Sequence, residues 1–163
     1  MMGKPDWLPD MVPVSGEWDK ILARLYAIFD VDFKKCRPFL HKMPVWWDQR
    51  IEKGDKYEEG FWHLISRDDW QTKERLFDPR RAERMPWCCP ILLHAGDAAV
   101  KLWDYQEGKR VRTYVWLEDH DYVIVLEKRR QNRGEVAFLI TAYYVDGPST
   151  KRSFERKYAQ RKV

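Results

Sequence analysis

Three hydroxyls and a run of cations are the residues best suited to chemistry. Thr141, Tyr143 and Tyr144 stand in FLITAYYVDG, and Lys128, Arg129 and Arg130 close the stretch YVIVLEKRR. Hydroxyls and cations together at the edge of a small sheet suit the handling of a phosphodiester. Such a reaction needs a base for the attacking oxygen and positive charge for the phosphorus centre. Among the four histidines, His63 in FWHLISR is the best candidate for moving that proton. Large apolar residues flank it, Arg67 follows, and imidazole titrates near neutrality. His120 lies in the acidic turn EDHD, His94 ends an apolar helix where the macrodipole accounts for it, and His41 has no obvious partner. Structural alternatives stand beside each reading: Thr and Tyr are good strand residues, and an isolated histidine is often a packing residue.

Side chains two apart on a strand share a face. Ala137, Leu139, Thr141, Tyr143 and Val145 are therefore expected on one side, and Val136, Phe138, Ile140, Ala142 and Tyr144 on the other. The second set is the more apolar and is expected to meet the helices. Metal chemistry finds little support. Cys88, Cys89 and His94 offer three ligands, and no second cysteine pair completes a tetrahedral site. No glycine-rich phosphate loop, GxSxG turn or dinucleotide fingerprint is present, so no cofactor is expected. The Trp46–Trp47 pair suits either base stacking or a core.

Those residues need a scaffold. A length of 163 residues predicts one domain with a real core, and 34% charged residues predict a heavily ionised surface. Residues 1–14, with three prolines, read as a flexible arm, and 15–163 as a single domain. Ser15 is a candidate cap for a helix to about Phe29, with Trp18, Ile21, Leu22, Leu25, Ile28 and Phe29 at helical spacing. Residues 30–50 read as irregular, with room for short strands around Phe39 and Val45–Trp47. Phe61–Ile65 is too short to assign. Residues 72–85, interrupted near Pro79, and 87–94 read as helical. Four strands follow, at 100–105, 110–117, 122–129 and 136–145, separated by short polar breaks that favour hairpins. Gly147–Thr150 ends the last strand and starts a basic helix to about Gln160. The expectation is α+β, with N-terminal helices on a four-stranded antiparallel meander.

Net charge is only +4, yet 150–163 holds six Lys or Arg and one Glu. An anionic partner is expected, nucleic acid first, with a solvated helix face as the plain alternative. An odd cysteine count and the lack of any apolar run near membrane length point to the cytosol and to no membrane partner.

HLISR at 63–67, YVIVLEKR at 122–129, FLITAYYVDG at 138–147 and the basic helix after it resemble a phage-encoded nuclease group. It belongs to the superfamily uniting barnase, EndoU, tRNA-cleaving colicins and RelE, the BECR fold. The likeness covers roughly residues 60–160. It implies metal-independent RNA cleavage, in which the 2′-hydroxyl attacks phosphorus and leaves a 2′,3′-cyclic phosphate. By that resemblance His63 is general base or acid, and Arg129 with Lys128 stabilises charge. Thr141 and Tyr143 position the phosphate or relay a proton, while Tyr144, Arg67 and Arg152 hold RNA. The implied partners are RNA (tRNA, rRNA or mRNA) and an antitoxin or immunity protein, and the implied role is a phage or prophage toxin or host-takeover factor. The alternative is a non-catalytic RNA-binding or protein-interaction module on the same fold.

Overall fold

The computed structural model of the chain describes residues 3–162. Among them five α-helices and eight strands form. Helix α1, Trp18–Phe29, buries Ile21, Leu22, Leu25 and Phe29 as the spacing requires, and runs on into a wide π-type turn at Asp30–Lys35. Its cap is Glu17 rather than Ser15, and Trp18 is exposed. Strands β1 (Phe39–Leu40) and β2 (Met43–Trp46) make a short hairpin. Helix α2, Glu59–Ile65, occupies the stretch that was too short to assign.

The segment expected to be helical from Thr72 is different. Strands β3 (Ser66–Asp68) and β4 (Arg75–Phe77) pair as a separate antiparallel ribbon, and helix α3 begins only at Pro79, running to Glu83. Asp78 sets that boundary: its side chain accepts the Arg81 backbone N–H, and proline at the first helical position has no N–H to satisfy. Helix α4, Met85–Leu93, is buried nearly all round.

Strands β5 (Lys101–Glu107), β6 (Arg110–Leu117), β7 (Tyr122–Gln131) and β8 (Gly134–Tyr144) form the expected antiparallel meander. The sheet does not stop there. It has six strands in the order β1-β2-β8-β7-β6-β5 and is mixed, because β2 pairs parallel to β8 with Val45 opposite Ala137 and Trp46 opposite Phe138. An unpaired β8 would leave a row of open backbone groups at the sheet edge, and β2 covers part of it. The four-stranded antiparallel expectation is corrected on this point.

A second correction concerns the faces of β8. Val125 opposes Thr141 but Leu126 opposes Leu139, so Ile140 is an extra residue in the ladder. Such a bulge reverses the alternation beyond it. Ala137, Leu139 and Ala142 consequently share the helix-side core, while Ile140, Tyr143 and Val145 pack on the opposite side. On that opposite side helix α5, Gly147–Ala159, lays Phe154 and Tyr158 against Trp103, Tyr114 and Trp116. Residues 3–14, expected as a flexible arm, are instead laid over the helical layer. Leu8 is buried, Trp7 stacks on His94 at 4.5 Å, and the Trp87 indole N–H donates to the Pro9 carbonyl at 2.9 Å. No described helix is long and apolar enough to cross a membrane.

Candidate functional site

Helix α2 presses onto the sheet edge because Gly60 has no side chain. A Cβ there would lie 2.8 Å from two Trp47 atoms and 3.1 Å from the Asp48 carbonyl. The close approach lets the helix's first N–H groups find acceptors: Glu59 donates to the Arg50 carbonyl and Gly60 to the Asp48 carbonyl, both at 2.8 Å.

The other end of α2 meets β8 where β2 has ended. Arg81 Nη1 reaches three oxygens there: the His63 carbonyl at 3.1 Å, the Ser66 carbonyl at 2.5 Å and Thr141 Oγ1 at 3.1 Å. Thr141 Oγ1 in turn donates to the His63 carbonyl at 3.2 Å. The carbonyls at the end of a helix lack partners within it, and here a threonine and an arginine supply them. The Arg81 guanidinium also sits 5.3 Å from the Tyr143 ring centroid. Arg84 lies 4.2 Å and Arg80 5.2 Å from the Tyr144 ring. The His63 backbone, Thr141 and the rings of Tyr143 and Tyr144 are thus tied to one seam through Arg80, Arg81 and Arg84, while the charges that reach the His63 imidazole are those of Glu59, Asp48, Arg75 and Asp68.

Arg67, exposed on β3, has no ion-pair partner among the described residues and adds its charge to this seam. The acidic groups facing it are Asp78, 3.8 Å from Arg81 Nε, Asp146, 3.0 Å from Arg80, and Glu83, 2.8 Å from Arg84. Burial holds the His63 imidazole below its usual 6.5, against the pull of the Glu59 and Asp48 carboxylates, so the ring is neutral at neutral pH. Its Nδ1 is buried without a hydrogen-bond partner. Burial pushes the Tyr143 hydroxyl up, which keeps it protonated and able to donate.

The remaining expected site residues lie elsewhere. Lys128 and Arg129, neighbours in sequence, point to opposite faces of β7. Lys128 Nζ pairs with Asp104 at 3.0 Å, beside the β1–β2 hairpin. Arg129 stacks on Phe138 at 3.8 Å and bonds Glu127 Oε1 through Nε at 3.1 Å. Arg129 and Thr141 are separated along the ladder by the rows from Val136 to Ile140, and no hydrogen bond or ring contact joins them among the described residues. Arg152 is exposed on α5.

Arg80, Arg81 and Arg84 escaped the sequence reading. The signal was present as DPRRAER, a capping aspartate and proline followed by three arginines within one turn and a quarter. Cys88, Cys89 and His94 do not gather: both cysteines are buried, and His94 is taken up by Trp7 and the Pro90 carbonyl. Among the described residues no three His, Cys, Asp or Glu side chains cluster as metal ligands. Comparison with protein-family models, curated proteins and solved structures finds no match for this chain.

Proposed function

We propose that the seam between α2, α3 and β8 cleaves RNA by metal-independent transesterification. The observation that carries this reading is the gathering of Thr141, the Tyr143 ring and the His63 backbone carbonyl around Arg81, with the His63 imidazole on the same short helix. In the proposed reaction the neutral His63 imidazole takes the proton of a ribose 2′-hydroxyl as its oxygen bonds to phosphorus. Arg67 and Arg80, the exposed arginines of the seam, hold the phosphate oxygens, since guanidinium forks match that geometry. The bond to the 5′-oxygen breaks, Tyr143 gives that oxygen its proton, and a 2′,3′-cyclic phosphate remains. Thr141 and Arg81 act as positioning residues, fixing α2 and the ring it carries.

A second reading is favoured by one specific observation. Arg81 and Thr141 are bonded to the carbonyls of α2, which is work a purely structural seam would also require. On that reading the protein grips RNA without turnover.

The two readings separate in one assay: purified protein is incubated with tRNA and rRNA in EDTA, beside a His63→Ala variant. Fragments ending in 2′,3′-cyclic phosphate, absent with the variant, are the expected result. Intact RNA with folded wild-type protein would overturn the cleavage reading.

A further inference from the structure

The sheet face opposite the main helix layer is covered at one end only. Helix α5 lies over Trp103, Tyr114 and Trp116. Toward the β7–β8 hairpin no helix follows among the described residues; Glu127, Phe138 and Trp46 stand in one row across β7, β8 and β2, and Arg112 of β6 extends it through its ion pair with Glu127. At about 4.8 Å between strands, the row spans roughly 15 Å.

The row is ordered and still has binding capacity. Glu127 sits between two arginines, its Oε2 3.0 Å from Arg112 Nη1 and its Oε1 3.1 Å from Arg129 Nε. Arg110 Nη1 is 3.6 Å from the same carboxylate. Arg112 Nε also lies 3.9 Å from Glu107 Oε2, so three guanidiniums face two acids and the patch stays positive. The Arg129 Nη groups have no hydrogen-bond partner among the described residues. Its guanidinium is nevertheless fixed, lying 3.8 Å from the Phe138 ring centroid. Beside Phe138, Trp46 is 43% exposed, a large apolar surface offered to water. Past Trp46 a groove of about 650 Å³ opens between the two hairpins, with Lys42 and Arg133 on its rim and Val136 in its floor.

Fixed cations alternating with open aromatic faces are what a single nucleic-acid strand requires. The cations take phosphates, the rings take unpaired bases, and a duplex cannot offer its base faces in this way. We propose that this uncovered half of the sheet binds single-stranded RNA, with a base stacked on the exposed Trp46 and the backbone held by Arg129, which Phe138 and Glu127 hold in place. The choice of RNA rests on the reading of the seam given above. The row adds a substrate class to it: the strand is presented unpaired, from residues that do not themselves take part in the chemistry.

The test uses a fluorescein-labelled oligouridine with 2′-O-methyl riboses, which has no attacking hydroxyl and so survives any cleavage. Anisotropy titrations compare it, single-stranded and annealed to its complement, on wild type, Trp46→Ala and Arg129→Gln, with circular dichroism to check folding. The expected result is tighter binding of the single strand. Trp46→Ala weakens it about tenfold, the cost of one lost base stack. Arg129→Gln weakens it too and flattens the slope of log affinity against log salt by about 0.7, one phosphate contact. Duplex bound as tightly as single strand, no binding of the probe, or both variants binding like wild type would each overturn the proposal. Cleavage of unmodified RNA is followed in parallel. Binding that depends on Trp46 without cleavage sinks the nuclease reading and leaves this one standing. Cleavage with indifferent Trp46 and Arg129 variants does the reverse.

Discussion

Arg81 in the seam and Arg129 on the open sheet face spend their guanidiniums differently. Arg81 is largely buried, and its Nη1 is engaged by two backbone carbonyls and a hydroxyl. Burying that charge is costly, and desolvation lowers its proton affinity, so only those bonds justify its position. Arg129 keeps an exposed fork, with one nitrogen on Glu127 and its plane on Phe138. The contrast separates an arginine that builds the site from one that can still meet a ligand. It also divides the seam itself: Arg81 holds α2, Arg84 is equally buried against Glu83 and the Arg80 carbonyl, and contact with an anion falls to the exposed Arg67 and Arg80.

The sharpest break of this comparison is at His63. Replacing it with alanine is expected to cut cleavage by about 10²–10⁴, the usual worth of a positioned base. Binding of a single-stranded probe to the sheet face should be unchanged. Because burial depresses the folded imidazole below 6.5, the acid limb of the rate profile should fall below the pH at which a free histidine titrates. It should vanish with the variant. A limb at or above that pH would take His63 out of the reaction. Removing Arg81 comes next. Arg81→Ala removes the Ser66 carbonyl's side-chain donor and leaves the His63 carbonyl to Thr141 alone, and is expected to cost about 2–3 kcal/mol of folding free energy in urea unfolding. Arg129→Ala, on the open face, should stay within about 0.5 kcal/mol of wild type.

Gly60→Ala tests whether α2 is truly wedged. Its methyl would meet Trp47 at 2.8 Å, and overpacking of this kind costs about 1–3 kcal/mol. The helix must shift, taking His63 with it, so cleavage should fall further than the stability loss alone implies while probe binding holds. Equal loss of both activities would mean that the two regions are one site.

Much of this architecture was legible beforehand, for local reasons. Apolar spacing placed α1 to within three residues at its start, and alternation with short polar breaks placed β5 to β8. The parallel pairing of β2 with β8 was not legible, because its partners are about ninety residues apart and Met43–Trp46 contains a proline. Nothing in LITAYY marks the bulge at Ile140, and that one extra residue moves Tyr143 to the side of Phe154. Of the residues read as a site, Thr141 meets the His63 backbone carbonyl, and Tyr143 is linked to them only through the Arg81 guanidinium. Arg129 lies elsewhere, and this was not legible, since neighbouring cations on a strand look alike in sequence whichever face each one takes.

The smallest expected effect supplies a control lying outside both arginine sets. Asp32, in the π-type turn, is pushed up to about 6 by burial, with no cation offsetting the cost. An unfolded aspartate ionises near 4, so the folded chain binds more protons between about pH 4 and 6 and loses stability as pH rises through that window. Above it the loss is constant. Asp32→Asn removes the penalty and should stabilise the protein at pH 7 by on the order of 1 kcal/mol, discounted for partial exposure. Below pH 4 the variant should match wild type. Because Asp32 itself makes no ion pair or side-chain hydrogen bond with a residue of the seam or the open face among the described residues, cleavage and probe binding should both be unaffected. A variant that gained stability yet lost either activity would show that the helical layer feeds into the sites, and the division between building and binding arginines would then have to include it.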